Sequence, residues 1–454
     1  MKTVSGDMAF SDREYEVKLV GDAAAVESLS RSFVIRALAA GAPQTEVIEA
    51  SYFDTPERRL QAEGLSLRVR AENGETVQCV KAETASGAAF SCFEYETSLG
   101  SNGVWPAETG VAAHDDLLQS VAGALQETLR VDTDRRTIAL QRNGSAFEAA
   151  FDFCTAAAPQ HGERRVAFAE AEIELLDGDP MELFAIARLC LDEQGGRLRI
   201  GGAAKRDRAA MLLGDGSLPR PSNRTAIDPD GDAGDALVEA VRFCARRLLE
   251  AAPLVTEVGD GEGLKQLRVA LRRLRSVERL YRRDVSGSVL RDASRRAKKI
   301  AGVLGAARDW DVFIDETLAM IEASGQAPES LGVLRDAAKT HRAEAWRAAR
   351  ALVSHTEFSL FALDLLEAAE TEPWRGDAAP LLATPVEIFA RRALDDRLVE
   401  ARLLASDLSV TAPAAGHPLR IALKKMRYAA QMFRDLYPRD ARKPYMAAMS
   451  RLQD

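Results

Sequence analysis

Glu14-Tyr15-Glu16-Val17-Lys18-Leu19 is the stretch whose reading decides the first fold in this chain. As a β-strand it places Glu14, Glu16 and Lys18 on one face and Tyr15, Val17 and Leu19 on the other. One such strand is ordinarily a solvated edge with its apolar face buried. Here the pattern recurs in Leu67-Arg68-Val69-Arg70, in Phe93-Glu94-Tyr95-Glu96 and in Glu170-Ala171-Glu172-Ile173-Glu174-Leu175. Several strands with one charged and one apolar face predict an antiparallel barrel. Its apolar faces pack outward against helices, and acids and bases line the bore. Carboxylates crowded in a bore repel one another, and bases there lack an anion. A divalent cation together with a polyanionic phosphate satisfies both.

The surrounding residues extend the pattern. Tyr52-Phe53-Asp54-Thr55 is followed by Leu60, Gly64 and Leu65, then by Arg68 and Arg70, Lys81, and Glu94 with Glu96. Arg136 or its neighbour Arg135, Asp152, the Glu170–Glu174 run and Lys205 complete an ordered set. Over residues 11–212 this set resembles the CYTH family of triphosphate tunnel metalloenzymes. Two positions depart from that family: Cys92 and Phe93 stand where an arginine is common, and Ala204 where a serine precedes the late lysine. The resemblance implies metal-dependent hydrolysis of inorganic triphosphate or a related triphosphate. It implies anion binding by Lys18, Arg68, Arg70, Lys81, Arg136 and Lys205. It implies Mg²⁺ or Mn²⁺ on Glu14, Glu16, Glu94, Glu96, Glu170, Glu172 and Glu174, and catalytic parts for Lys18 and Asp152. Adenylate cyclase and thiamine triphosphatase activities are the alternatives within the family.

Composition is that of a multidomain globular protein: 454 residues, 46% hydrophobic, net charge −9. The acidic balance disfavours nonspecific nucleic-acid coating. The five cysteines are scattered without a C-x-x-C pair and read as reduced thiols. With no signal-like start and no apolar run of about 18 residues, a cytoplasmic protein without a membrane span is expected.

Taken in order, residues 11–212 mix alternating strands with two helical stretches, Ala23–Ala39 and Met181–Leu191, an α+β pattern. Asn73-Gly74 and Asn143-Gly144 are hairpin cues. Residues 213–233 are rich in Gly, Pro, Asp and Ser and read as a linker. From 234 to 454 the spacing is helical, with breaks at Ser286-Gly287, Gly325, Pro373 and Ala412-Pro413, which predicts an all-α bundle.

That half carries a near-repeat: Leu267–Arg275 (LRVALRRLR) returns as Leu419–Arg427 (LRIALKKMR). Arg268, Arg272 and Arg275 share one helix face, and Arg420, Lys424 and Arg427 share the equivalent one. From Leu264 to Arg308 there are 14 Lys and Arg against 3 Asp and Glu. Such clustering in an acidic protein points to an anionic partner, where an ordinary wet face would mix signs. The residues resemble the CHAD family, whose pattern "H-x-x-R-x-x-x-R-R-x-R" fits Lys265–Arg275, with lysine for histidine, and His417–Arg427. Arg308-Asp309-Trp310-Asp311 matches its "R-D-x-D" segment. The resemblance implies inorganic polyphosphate binding by Lys265, Arg268, Arg272, Arg273, Arg275, His417, Arg420, Lys424, Lys425 and Arg427, and a link to polyphosphate granules. The chain ends where that family usually continues, so a truncated C-terminus or a short last helix is expected. A noncatalytic polyphosphate-granule adaptor is the rival from another class.

Overall fold

The computed structural model describes residues 13–72, 75–82, 91–99, 105–106, 108–214, 225, 227–282, 285, 288–324, 331–406 and 416–451. The chain divides into two compact units, Met1–Arg220 and Pro221–Asp454.

The first unit runs β1 (Arg13–Gly21), α1 (Ala23–Ser30), α2 (Phe33–Leu38), β2 (Gln44–Asp54), α3 (Arg59–Ala62), β3 (Leu65–Glu72), β4 (Glu75–Ala82) and β5 (Ser91–Ser98). It continues with α4 (Ala112–Val121), β6 (Gln126–Arg142), β7 (Ser145–Ala157), β8 (Arg165–Asp177), α5 (Met181–Gln194), β9 (Arg199–Gly201) and α6 (Lys205–Leu213). The sheet order is β5-β4-β3-β2-β6-β7-β8-β1-β9, and a β5–β1 pairing closes it into a barrel. Every ladder is antiparallel. β1 serves two partners on one side: its start pairs β5 and its end pairs β9. Charged and apolar side chains therefore alternate around a closed wall, with no long unpaired edge.

Val17, Leu19, Phe147, Phe151 and Ile173 point outward and are buried, in the region where α1 and α5 contact β1 and β8. On the far side Leu60, Leu65, Leu67, Val80, Leu118 and Val121 form a second outer cluster with α3 and α4. Asp54 belongs to this scaffold. Its carboxylate accepts from the backbone N–H of Thr55, Leu60 and Gln61 at 2.7, 2.9 and 3.0 Å and fixes the start of α3. Asn143 and Gly144 form the β6–β7 turn with φ of 48° and 82°, as an Asn-Gly hairpin requires. Asn73-Gly74 lies outside the described residues, as do Ser286-Gly287, Gly325 and Ala412-Pro413. The stretch expected as one helix over Ala23–Ala39 is two, because Ser32 breaks it and its hydroxyl accepts from Ile35 N–H at 3.2 Å.

The second unit is helical: α7 (Ala233–Pro253), α8 (Gly261–Tyr281), α9 (Ser288–Val312), α10 (Ala319–Ala323), α11 (Leu331–Ser354), α12 (Thr356–Thr371), α13 (Arg375–Leu382), α14 (Val386–Ser406), α15 (Gly416–Met432) and α16 (Arg439–Arg451). Asp232 and Asp235 form a reciprocal capping box at the start of α7. Leucines of α8 at 264, 267, 271 and 274 are buried, and its arginines fall between them. Tyr281, fully buried, donates to Ala233 O at 2.8 Å and stacks on Phe389. π-helical turns occur at Leu254–Val258, before α8, and at Phe313–Leu318, after α9. Among the described residues no helix is long and apolar enough to cross a membrane.

Candidate functional site

Strand register decides which side chains meet inside the barrel, since residues opposite each other in a ladder share a face. Arg135 faces Asp152, which faces Glu170. Lys18 faces Glu172, and Glu16 faces Glu174, which also faces Glu148. Arg68 faces Cys79, which faces Glu96, and Lys81 faces Glu94. Glu46 faces Arg135 from β2. Eight strands, β1 to β8, thus contribute inward charges at the positions their alternation demands.

These charges form two connected groups. In the first, Asp152 is fully buried and accepts two hydrogen bonds from Arg135, both 2.7 Å, and a third from Lys205. Arg135 Nη2 also reaches Glu172 at 2.9 Å, and Lys18 donates to Glu172 at 2.7 Å while pairing Glu16 at 2.8 Å. Glu170, fully buried, stands 3.5 Å from Lys205 and 3.5 Å from Arg208. In the second, Arg68 and Lys81 bind Glu94 at 3.0 and 2.7 Å, Arg70 binds Glu96 at 3.0 Å, and the Cys79 thiol donates to Glu94.

The electrostatics follow from this crowding. Burial works against Lys18, yet Glu16 and Glu172 hold its ammonium well above the ordinary lysine value. Lys205 behaves likewise beside Glu172, Asp152 and Glu170. Glu94, despite its burial, is pulled down to about 2 by Lys81 and Arg68. Three carboxyls go the other way. Burial raises Glu170, Glu96 and Glu174, and for Glu174 the neighbours Glu16 and Glu148 add to it. Burial also lifts the Cys79 thiol to about 12, which keeps it protonated and unreactive.

Fit to a divalent cation can be judged from these donors. Asp152, Glu170 and Glu172 bring one ligand atom each to within 4.8 Å of one another, as do Cys79, Glu94 and Glu96. Glu170 Oε1 is buried without a hydrogen-bond partner. Hard carboxylate oxygens in excess, three of them raised by burial, are what Mg²⁺ or Mn²⁺ accepts.

Most barrel candidates converge in this bore: Glu16, Lys18, Arg68, Arg70, Lys81, Glu94, Glu96, Asp152, Glu170, Glu172, Glu174 and Lys205. The side chain of Glu14 lies outside the described ones. Arg136 requires correction. It faces Phe151 in the ladder, lies over the Phe153 ring and pairs Glu27 of α1 at 2.8 Å, so it is on the outer wall. The inward guanidinium is Arg135, one residue earlier; a one-residue step inverts the face. Glu46, Glu148, Cys79 and Arg208 are inward residues that motif reading passes over. Alternation along β2, β4 and β7 would have found the first three, and Arg208 follows Lys205 by three residues on α6.

In the helical unit the two basic faces approach each other. Lys424 of α15 is lowered by burial and then by Arg420, Arg272 and Arg427, so Arg272 of α8 stands in its field. Arg268 donates to Leu304 O at 3.3 Å and lies 4.0 Å from Asp309. Burial lowers it, and Arg272 and Arg308 add to this. A Cβ at Gly305 would come within 3.0 Å of Arg268 Nη1, so glycine there lets this arginine lie against α9. Arg308 of α9 is thus a third-helix contributor that motif scoring left out. Asp311 is a buried strut: its Oδ1 accepts from Arg342 at 2.7 Å and from Trp346 at 2.9 Å. Arg275 is half-buried; His417 and Arg420 are exposed. Lys265 is exposed and pairs Glu262 at 3.0 Å. Arg427 lies over the Tyr428 ring. Two candidates leave the shared face, each 100° around its helix from a neighbour on it. Arg273 lies over Phe243 of α7, and Lys425 pairs Glu400 of α14 at 2.6 Å.

A family model for the CYTH domain matches residues 12–206, and one for the CHAD domain matches residues 239–454. Among solved structures, the CHAD domain from the plant Ricinus communis is 27% identical, with 51% of this chain and 76% of that one covered and a TM-score of 0.42. A Bacillus halodurans protein named as a candidate adenylate cyclase is 15% identical, covering 40% of this chain and 89% of its own, with a TM-score of 0.30. A Hippeastrum protein, named as a candidate adenylyl cyclase with a dominant triphosphatase activity, is 17% identical, covering 45% and 97%, with a TM-score of 0.29.

Proposed function

Because this chain joins a CYTH domain to a CHAD domain, we propose that its barrel hydrolyses inorganic triphosphate or a related triphosphate with a divalent metal, and that its helical unit binds inorganic polyphosphate. One observation carries the first part: bases from β1, β3, β4, β6 and α6 converge in one bore with a surplus of carboxylates.

The guanidinium forks of Arg68 and Arg70 suit phosphate oxygens bidentately, while Lys18, Lys81 and Lys205 act as point charges. Each of these bases is held by a carboxylate, so each is oriented before a phosphate takes the carboxylate's place. Arg135 and Lys205 are kept side by side by Asp152. With no exposed surface and two cations on it, Asp152 is suited to positioning these bases rather than to proton transfer. Glu16, Glu94, Glu96, Glu170, Glu172 and Glu174, with Glu148 beside them, would hold Mg²⁺ or Mn²⁺. Bound there, the ion supplies charge neutralisation on the phosphates and a more acidic water. Lys18, kept fully protonated between Glu16 and Glu172, holds a positive charge where the leaving phosphate's charge grows.

Phosphate release from tripolyphosphate, ATP, thiamine triphosphate and long polyphosphate, with Mg²⁺ and with chelator, tests this reading. Metal-dependent release from tripolyphosphate supports it. Cyclic nucleotide from ATP would favour a cyclase, and no release from any substrate would leave the adaptor. The second part is supported by the packing of α15 against α8, which brings Arg272 of one repeat into the field of Lys424 of the other. A uniform polyanion suits such a surface, since it offers charge without bases to read.

A further inference from the structure

We infer that a recess between α7, α8 and α15 of the helical unit binds a small organic anion, with its charged head on Arg273 and its apolar body against Val277, Leu280 and Met432. No bore residue lines this recess, and Arg273 has left the shared basic face, so the site stands apart from both activities proposed above.

Arg272 and Arg273 are adjacent on α8, about 100° apart around the helix, and only the first belongs to the shared face. The second turns toward α7, where its guanidinium lies 4.9 Å from the centroid of the Phe243 ring. Among the described residues Arg273 makes no hydrogen bond and no ion pair. Nearby arginines of α7 are placed otherwise: Arg242 is held by Glu239 and Glu370, and Arg247 by Glu250. Burial works against the charge on Arg273, and Arg247 and Arg434 press the same way. None of the leading groups that act on it is a carboxylate. A half-buried guanidinium without a counter-charge gains from any anion that reaches it.

Arg273 opens onto a recess of about 340 Å³, its mouth included. That is the low end of the range for small-molecule sites, roughly 300–1,000 Å³, whose walls are mostly apolar with a few polar groups that fix orientation. The walls here have that character. Val277 and Leu280 follow Arg273 on the same face of α8, at i+4 and i+7, and Met432 comes from α15. Phe243 covers the flat face of the guanidinium, which leaves its N–H edge for an oxyanion. Ser276 also lines the recess, but its hydroxyl donates to Arg272 O at 3.0 Å and so offers an anion no proton. The Cys244 thiol, lifted by burial to about 12, stays neutral. The head therefore rests first on Arg273. A carboxylate and a phosphate monoester both suit the guanidinium fork. Inorganic polyphosphate does not suit the recess: it has no apolar body for the wall, and its further charges would lose their water there.

The experiment uses the full chain with chelator, and with tripolyphosphate and long polyphosphate in excess to occupy the bore and the basic face. The probes are acetate, butyrate, hexanoate and octanoate, with butyl and hexyl phosphate as a second arm, followed by ligand-observed NMR. Each added methylene should tighten binding by up to about fourfold, so hexanoate should bind at least about tenfold more tightly than acetate. Arg273→Met should weaken hexanoate by about tenfold or more. Leu280→Gln keeps the guanidinium and should flatten the dependence on chain length; it decides the matter if Arg273→Met loses helix content by circular dichroism. Tighter binding in one arm identifies the head as carboxylate or phosphate, and either supports the site. No binding in either arm, affinity indifferent to chain length, or full affinity in both variants overturns it.

Discussion

Replacing Arg135 with Gln should loosen the barrel and weaken anion binding, whereas the same change at Arg136 should do neither. Arg135 makes three charge-assisted bonds, two to Asp152 and one to Glu172, at 2.7–2.9 Å, and Asp152 has no exposed surface. Glutamine cannot reproduce the fork, so Asp152 is left with Lys205 alone. Breaking a buried pair by removing one partner costs about 3–5 kcal/mol when the other charge is stranded. Lys205 remains, so a loss just below that range, about 2–3 kcal/mol, is expected here. The Arg136–Glu27 pair is 42% and 28% exposed, and such pairs contribute about 1 kcal/mol or less. Hydrogen exchange of peptides from β6 and β7, followed by mass spectrometry, reads the stability of this unit locally. At about 1.4 kcal/mol per decade, Arg135→Gln should speed exchange roughly 30- to 150-fold, and Arg136→Gln by about fivefold at most. Tripolyphosphate affinity, measured by calorimetry with Ca²⁺ in place of Mg²⁺, should fall for Arg135→Gln alone. Equal effects of the two substitutions, or a larger one at Arg136, would refute the inward placement of Arg135.

Metal affinity should depend on pH through Glu174. Its carboxyl is raised by burial, Glu16 and Glu148, so a cation must displace its proton below that raised value. Affinity therefore climbs with pH by up to about tenfold per unit in the weakly acidic range and then levels, and Glu174→Gln should flatten the climb in a Mn²⁺ titration. In the helical unit, Arg272→Ser should weaken long-chain polyphosphate binding and flatten its salt dependence. Lys425→Ser, which removes a partner of Glu400 on another face, should leave both unchanged in a titration at several salt concentrations. Asp311→Ala strands Arg342 and the Trp346 N–H and should cost about 2–4 kcal/mol, seen as a lower urea midpoint for tryptophan fluorescence of that unit. A fragment ending inside residues 213–233 should keep metal-dependent phosphate release, and loss of that release while the full chain remains active would argue against a self-sufficient barrel.

The barrel was legible because its strands alternate with unusual consistency. Glu14 to Leu19, Arg68 to Arg70 and Glu170 to Leu175 each mark which residues go in, and antiparallel ladders then bring the marked faces together. What alternation along one strand does not carry is the sign of the face when two like residues are adjacent. Arg135 and Arg136 illustrate this: both are basic, and only the pairing of β6 with β7 sets Asp152 against the first and Phe151 against the second. The same holds on helices, where Arg272-Arg273 and Lys424-Lys425 split between the shared face and a neighbouring ring or carboxylate. Short-range pattern names the residue types; long-range register selects among neighbours.

The apolar cluster on the inner face, where strand residues pack against Ala209 and Leu213 of α6, was hidden for a different reason. Ala50, Tyr52, Val131, Ala156 and Phe168 look like any outward apolar positions, since a motif reading assigns apolar side chains to the outside by default. In this barrel they share the inner face with the charges, and what makes them inward is the helix that covers them. Lys205 alone suggests a base reaching into the bore. The run Lys205-Arg206-Asp207-Arg208-Ala209 shows more once it is helical. Residues 205, 208 and 209 share one face, so the turn that delivers Lys205 to Asp152 also brings Arg208 to Glu170 and packs Ala209 into the apolar cluster. Charge pairing and apolar packing are then properties of one helical turn. A substitution that lifts α6 off this cluster must also withdraw Lys205 from Asp152, which couples the packing of the helix to the charge balance of the bore.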